Sequence, residues 1–256
     1  MQKALLKVEH VTKRFGGLVA LDHVDLHVDK GEIVGLIGPN GAGKTTMFNA
    51  INGSFGITSG KVLYMDQDIT GLTPDKRCRL GIGRTFQITK PFSGMTVLEN
   101  VAVGAMFGQA GKKNQLSRAL LEKSMAEAEK ILAVMDFSGK KDALAGTLNV
   151  PERKRLEICR ALATDPSLLL LDEVIAGLNP SEVGDMVELV QHVNKMGVTI
   201  LMIEHVMKAV MKLSHRIYVL SFGKLIAEGT PQKIVSDPLV IEAYLGKIGK
   251  KEAEKC

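Results

Sequence analysis

The sequence has no tryptophan and only three tyrosines, and aromatic residues make up 4% of its 256 positions. A dedicated nucleic-acid binder would show a dense basic stripe and aromatic rings to stack on bases. Both are missing: 33 Lys and Arg stand against 28 Asp and Glu, a formal balance of +5. The one basic cluster, Lys247, Lys250, Lys251 and Lys255, is interrupted by Glu252 and Glu254 and reads as a solvated, frayed end. Cysteines are few as well. Cys78, Cys159 and Cys256 lie far apart with no metal-ligand spacing, which argues against a zinc site and fits reduced thiols in a cytosolic protein. No stretch approaches about 18 uncharged apolar residues, and the first ten residues carry charges where a signal peptide needs its apolar region. Any role in membrane transport would leave the membrane part to another chain.

Apolar residues amount to 45% of the chain, ample for a core, and the length suits one large domain or one domain with a lobe. Leu6–Val11 and Val24–Val28 alternate apolar and polar side chains, predicting strands. Ile33-Val34-Gly35-Leu36-Ile37 is continuously apolar, as expected of a strand buried on both faces of a parallel sheet. A Gly-rich turn follows, then a helix over about Lys44–Asn52. Short apolar runs recur at 168–171, 199–203 and 217–220, separated by helical patterns near 153–164, 181–196 and 206–213. This alternation predicts an α/β sheet with helices on both faces. Between about 92 and 156 the texture is helical, with Leu120, Leu121, Met125, Ala128, Ile131, Leu132 and Met135 at helix spacing, so an inserted helical lobe is expected there.

Gly38-Pro39-Asn40-Gly41-Ala42-Gly43-Lys44-Thr45 matches the phosphate-loop pattern G-x-x-x-x-G-K-[ST] in full. The glycines let the backbone curl so that successive N–H groups converge, and the following helix adds its positive end. Lys44 would then reach the β- and γ-phosphates of ATP, and the Thr45 hydroxyl would serve a Mg²⁺ ion. Leu168-Leu169-Leu170-Leu171-Asp172-Glu173 is a buried strand ending in two carboxylates at the carboxyl edge of such a sheet, where ligands sit. Asp172 would hold Mg²⁺, partly through water, and Glu173 would polarise the attacking water as general base.

Together with Gln87 in Arg84-Thr85-Phe86-Gln87 and His205 in Met202-Ile203-Glu204-His205, these motifs resemble the nucleotide-binding subunits of ABC transporters. The resemblance implies a RecA-like P-loop NTPase fold: a parallel-sheet core over 1–91 and 157–235, an N-terminal antiparallel β region, an inserted helical subdomain over 92–156, and a C-terminal helix and tail over 236–256. It implies that Gln87 senses Mg²⁺ and the membrane partner, and that His205 contacts the γ-phosphate. The implied nucleotide pocket comprises Phe15, Gly38, Pro39, Asn40, Gly41, Ala42, Gly43, Lys44, Thr45 and Thr46, with Phe15 stacking on adenine unless it is a core residue. Ala176-Gly177-Leu178-Asn179-Pro180 is similar to the loop that crosses the family's dimer interface, with Asn179 where Asp is commoner. Within the family, Gly81–Gln87, Met95–Val101, Ala227–Pro231 and Val240–Gly246 look like the LivG-type subunits of branched-chain amino acid importers. That likeness implies a second, related ATPase subunit, two transmembrane permeases, an extracytoplasmic solute-binding protein and a place at the cytoplasmic face of the inner membrane. A lipid-extracting exporter ATPase of the same family is the alternative.

One motif departs from the family. Where the signature L-S-G-G-Q should open a helix, the residues are Leu148-Asn149-Val150-Pro151-Glu152. In the family the Ser hydroxyl and the Gly N–H groups meet the γ-phosphate of ATP held by the opposite subunit. Val150 adds bulk there, Pro151 removes a donor, and Glu152 brings negative charge. Pro151 also suits the first turn of a helix, where a missing N–H costs nothing. The expectation is a heterodimer with one competent ATP site, built on this chain's phosphate loop. A mainly regulatory nucleotide-binding subunit is the other reading of the same departure.

Overall fold

The structure, a computed structural model, describes residues 4–85, 90–108 and 117–244. In chain order the strands are β1 (Ala4–Phe15), β2 (Leu18–Asp29), β3 (Ile33–Ile37), β4 (Ser59–Tyr64), β5 (Gln67–Asp68), β6 (Ile82–Arg84), β7 (Leu168–Asp172), β8 (Thr199–Ile203), β9 (Arg216–Ser221) and β10 (Lys224–Gly229). The helices are α1 (Lys44–Asn52), α2 (Pro74–Arg79), α3 (Val97–Phe107), α4 (Arg118–Val134), α5 (Val150–Leu162), α6 (Pro180–Lys195), α7 (Met207–Leu213) and α8 (Pro231–Val235). They fall into two compact units, Met1–Leu72 with Thr199–Cys256, and Thr73–Val198.

The first unit holds two sheets. In one, β1 pairs antiparallel with both β2 and β4, and β5 adds to β4, which is the expected N-terminal antiparallel region. In the other, β3 lies between β8 and β9, parallel to both, and β10 pairs antiparallel with β9. Every residue of β3 and β8 is buried, so no polar alternation could survive in them. The strands β1 and β2 are much longer than the alternation suggested. Register shifts interrupt their pairing, and His10 and His23 take left-handed backbone at φ 48° and 50°. Bulges of this kind insert residues that break the two-residue period. Arg216 pins the base of this sheet, donating to both Glu32 carboxylate oxygens at 2.9 and 2.7 Å and to Glu228 at 3.0 Å.

In the second unit β6 and β7 pair in parallel, with Arg84 opposite Leu170. No strand falls between 92 and 156 among the described residues, whose α-helices there are α3, α4 and the start of α5, with short 3-10 turns at Ser138–Lys140 and Ala145–Thr147. A capping box opens α3: the Thr96 hydroxyl accepts from Glu99 N, and the Glu99 carboxylate accepts from Thr96 N. On α4 the buried stripe is narrower than the apolar pattern, with Ala128 and Leu132 fully buried and Leu121 48% exposed. The Cys159 thiol is buried on α5, and burial pushes its pKa up to about 12.

Asn100 fastens the segment ahead of α3. It is wholly buried, accepts from Phe92 N at 2.9 Å and donates to Phe92 O at 3.1 Å and Thr96 O at 2.8 Å. Asn100→Leu would take the acceptor from Phe92 N and one donor each from Phe92 O and Thr96 O, which keep their bonds from Met95 N and Asn100 N, at a cost of about 3 kcal/mol. The apparent Tm in a thermal unfolding scan should fall by about 6–12 °C.

Candidate functional site

The phosphate loop leaves the carboxyl end of β3. Because Leu36 stands opposite Ile203 in the parallel β3–β8 pair, the loop and His205 emerge at the same edge of the sheet. Gly38 has φ 149°, and a Cβ there would lie 2.0 Å from the Leu220 carbonyl oxygen, so the loop presses directly on the backbone of β9. Gly41, at φ 78°, faces open space. The Phe222-Gly223 turn between β9 and β10 supports the loop: Gly223 N donates to Ala42 O at 3.0 Å, and Asp22 N donates to Gly223 O at 2.8 Å.

Lys44 opens α1 and is 6% exposed. Its Nζ donates to Gly38 O at 2.7 Å and Pro39 O at 2.9 Å, which draws the ammonium across the loop. Gly43, the residue before α1, offers no side-chain cap, and a helix start of this kind suits an anion. Thr45 is exposed and Thr46 half-buried at this end. Burial pushes up the pKa of the Tyr244 phenol, in the helical stretch 238–244, opposed by the Gly38 backbone. Phe15 is no core residue. It is 47% exposed at the end of β1, its ring edge-on to Phe55 at 5.4 Å, with Lys13 Nζ 4.7 Å from one ring and 4.6 Å from the other. A flat, half-open ring of this kind suits stacking on a base. His205 is exposed just beyond β8.

In the second unit β7 delivers Asp172, 2% exposed, to its carboxyl end. Asp172 Oδ2 accepts from Arg84 Nη2 at 3.0 Å, and Asp172 N donates to the Thr85 hydroxyl at 3.1 Å. Burial pushes the Asp172 carboxyl above the usual carboxylate range, opposed by the Arg84 guanidinium. Asp172 Oδ1 is buried and accepts no hydrogen bond among the described residues. A hard cation seeks oxygen of this kind, so the donor chemistry of Asp172 fits Mg²⁺. Glu173 follows in left-handed backbone at φ 53°. Lys154 Nζ donates to Glu173 O at 3.0 Å and Ala176 O at 2.6 Å, bracing that turn. Gln87 lies outside the described residues.

The degenerate signature is built as a helix start. Asn149 Oδ1 accepts from Glu152 N at 2.9 Å, the Glu152 carboxylate accepts from Asn149 N at 3.0 Å, and Pro151 sits in the first turn of α5. The Asn149 backbone N–H and then Lys140, 2.9 Å away, hold the Glu152 carboxyl below its ordinary range. Asn179 caps α6 in the same way, accepting from Ser181 N and Glu182 N, each at 3.0 Å. Sequence reasoning gave no role to Arg84, Lys154 or Phe55. Hydrogen bonds from a long cation to backbone carbonyls carry no spacing rule, and Phe55 follows α1 with no motif around it.

Residues 21–176 match the family model for the ABC transporter, and 224–248 match that for the branched-chain amino acid ATP-binding cassette transporter. The chain is 41% identical over 258 residues to the high-affinity branched-chain amino acid transport ATP-binding protein LivG of Escherichia coli K12, covering 96% of this chain and 100% of that one. It is 39% identical over 254 residues to BraF of Pseudomonas aeruginosa, a protein of the same description, with 96% and 100% covered. Among solved structures, the ADP conformation of MJ1267, an ATP-binding cassette of an ABC transporter, superposes with a TM-score of 0.86 at 36% identity, covering 96% of this chain and 100% of that one. A nucleotide-free cassette from an ABC transporter gives the same TM-score at 35% identity, with 96% and 100% covered. A nucleotide-binding loop on a buried parallel strand, a second strand ending in Asp172 and Glu173, and full-length likeness to proteins of one kind lead to a single assignment: the chain belongs to the ABC transporter family, as an ATP-binding subunit of the LivG type.

Proposed function

We propose that the chain hydrolyses ATP to drive uptake of branched-chain or other hydrophobic amino acids through separate membrane permeases. The observation that carries the ATPase part is the end of β7, where a buried carboxylate with an unshared oxygen is followed at once by Glu173. The substrate rests on the relatives, which are described as branched-chain amino acid transport proteins.

Each residue has a distinct task. The backbone N–H groups of 38–46 cradle the phosphates, Lys44 neutralises charge on the β- and γ-phosphates, and Phe15 stacks on adenine. Thr45 and Asp172 hold Mg²⁺, with Gln87 contributing; the ion supplies charge neutralisation at the phosphates when bound. Glu173 orients and deprotonates the attacking water, and His205 steadies the γ-phosphate. No helix of the described residues is long and apolar enough to cross a membrane. Binding from the cytoplasmic face to two permeases, beneath an extracytoplasmic solute-binding protein, accounts for that.

The pairing partner follows from Asn149, Pro151 and Glu152. Two copies of this chain would each offer the other a signature short of a donor and carrying a negative charge, whereas a different ATPase subunit offers a good signature to this chain's phosphate loop. ATPase activity per mole should therefore rise severalfold, about fivefold or more, when this chain is mixed with a second ATPase subunit and the permeases. Proteoliposomes holding the complex should accumulate labelled leucine in an ATP-dependent way. Equal activity of the chain alone and in the mixture would refute the heterodimer, and absence of uptake would refute the substrate. A mainly regulatory role, the second reading of Pro151, predicts turnover that is indifferent to Glu173.

A further inference from the structure

We propose that Lys154 is a positioning residue for hydrolysis, tying the helix that begins at the degenerate signature to the turn that carries Glu173. The proposal rests on Glu173 being the general base.

Three features of the 173–176 turn set the problem that Lys154 solves. Glu173 is in left-handed backbone at φ 53°, which a residue with a Cβ holds only when its surroundings over-determine it. Val174 and Ile175 are buried at 3% and 0% exposure, so the turn is anchored on its apolar side. Its polar side ends in two carbonyls, Glu173 O and Ala176 O, and one ammonium receives both, at 3.0 and 2.6 Å. A charge-assisted donor gripping the first and last carbonyls of a turn fixes both the peptide after Glu173 and the peptide leading into Gly177. The direction in which the Glu173 carboxylate leaves the chain is set by that first peptide.

Lys154 belongs to α5, whose first turn holds Asn149, Pro151 and Glu152. The helix is stiff over so short a distance, so a displacement of its start is carried to the Lys154 ammonium and from there to Glu173. A subunit thereby links the surface it shows to its partner's nucleotide with the base that serves its own. Both contacts are with main chain, and through them Lys154 acts on the reaction by setting the aim of Glu173.

The test uses the full chain assembled with its partner ATPase and permease chains, and compares Lys154→Met, Lys154→Arg and Glu173→Gln. Lys154→Met should lower kcat for ATP by about tenfold or more, with KM and the affinity for a fluorescent ATP analogue changed by less than about twofold. Lys154→Arg keeps a cationic donor and should recover about a third or more of the lost kcat. A part that Lys154 merely plays in folding would lower Tm and leave the kcat of the folded fraction intact. Should Lys154→Met fail to assemble, Lys154→Gln, with one neutral and shorter donor, is read in the same way. Turnover of either neutral variant above about half of wild type, while Glu173→Gln is inactive, overturns the proposal alone. Full turnover of Glu173→Gln overturns the base assignment, and the Lys154 proposal with it.

Discussion

Glu173→Gln should reduce ATP turnover by about 10²–10⁴-fold, the range contributed by a positioned general base, while ATP still binds. The amide is nearly the same size as the carboxylate and keeps the left-handed backbone at 173 no worse than Glu does, so the loss is chemical. Glutamine can hydrogen-bond the attacking water and cannot take its proton. Two nucleotides bound without being cleaved should hold the paired subunits closed, and gel filtration in ATP and Mg²⁺ should show the complex shifted to its closed, ATP-retaining form. Steady-state phosphate release is the decisive measurement. If it stays near the wild-type rate, this chain is a regulatory subunit and its partner does the chemistry.

Gly38→Ala should be the most damaging single methyl in the phosphate loop. The new Cβ would lie 2.0 Å from Leu220 O, 3.1 Å from the Leu220 carbonyl carbon and 3.2 Å from Ala42 Cβ, on a residue at φ 149°. The obstacle is the backbone of β9, which cannot rotate away as a side chain could. Strain and overpacking together should cost about 3 kcal/mol or more, lowering the apparent Tm by about 6–12 °C and weakening ATP binding as the loop is pushed off the sheet. Gly41→Ala is the matched control. Its φ of 78° is strained but nothing lies within 4 Å of the added Cβ, so about 1 kcal/mol is expected and a fall in Tm of about 2–4 °C. Equal losses from both substitutions, read by differential scanning calorimetry, would show that crowding against Leu220 is not what Gly38 relieves.

Legibility of the fold followed burial. The strands β3, β7 and β8 are apolar runs, but for Thr199 and Asp172 at their ends, because every residue in them is buried. The α1 helix was readable because the phosphate-loop pattern fixes where it begins. The antiparallel strands were readable only where their register is regular. Around His10 and His23 the chain bulges, and pairing continues past the point where alternation stops. At the site, the residues that form motifs could be named from spacing, while those that support them could not. Arg84 reaches Asp172 from 88 positions away in sequence, and Lys154 grips main-chain oxygens that every residue type possesses. Phe15 needed its measured exposure, since an aromatic residue at the end of a strand pattern is as much at home in a core.

The capping box at the start of α5 also bears on how this sequence can evolve. Asn149→Ser retains a good helix cap at a cost of a few tenths of a kcal/mol. Glu152→Gln can still reach back to the Asn149 N–H and gives up only the ion pair with Lys140, worth about 0–1 kcal/mol at such an exposed place. Pro151→Gly is an uphill step, exchanging a residue pre-shaped for the first turn for the floppiest one, and Val150→Gly puts a second glycine into the same turn, each at about 1 kcal/mol. Two of the four changes that separate this chain from the family's signature are thus almost neutral drift, reversible in either order. If the proposed asymmetric pairing holds, descendants of this sequence can wander between an asymmetric pair and a symmetric one, with Val150 and Pro151 as the watershed.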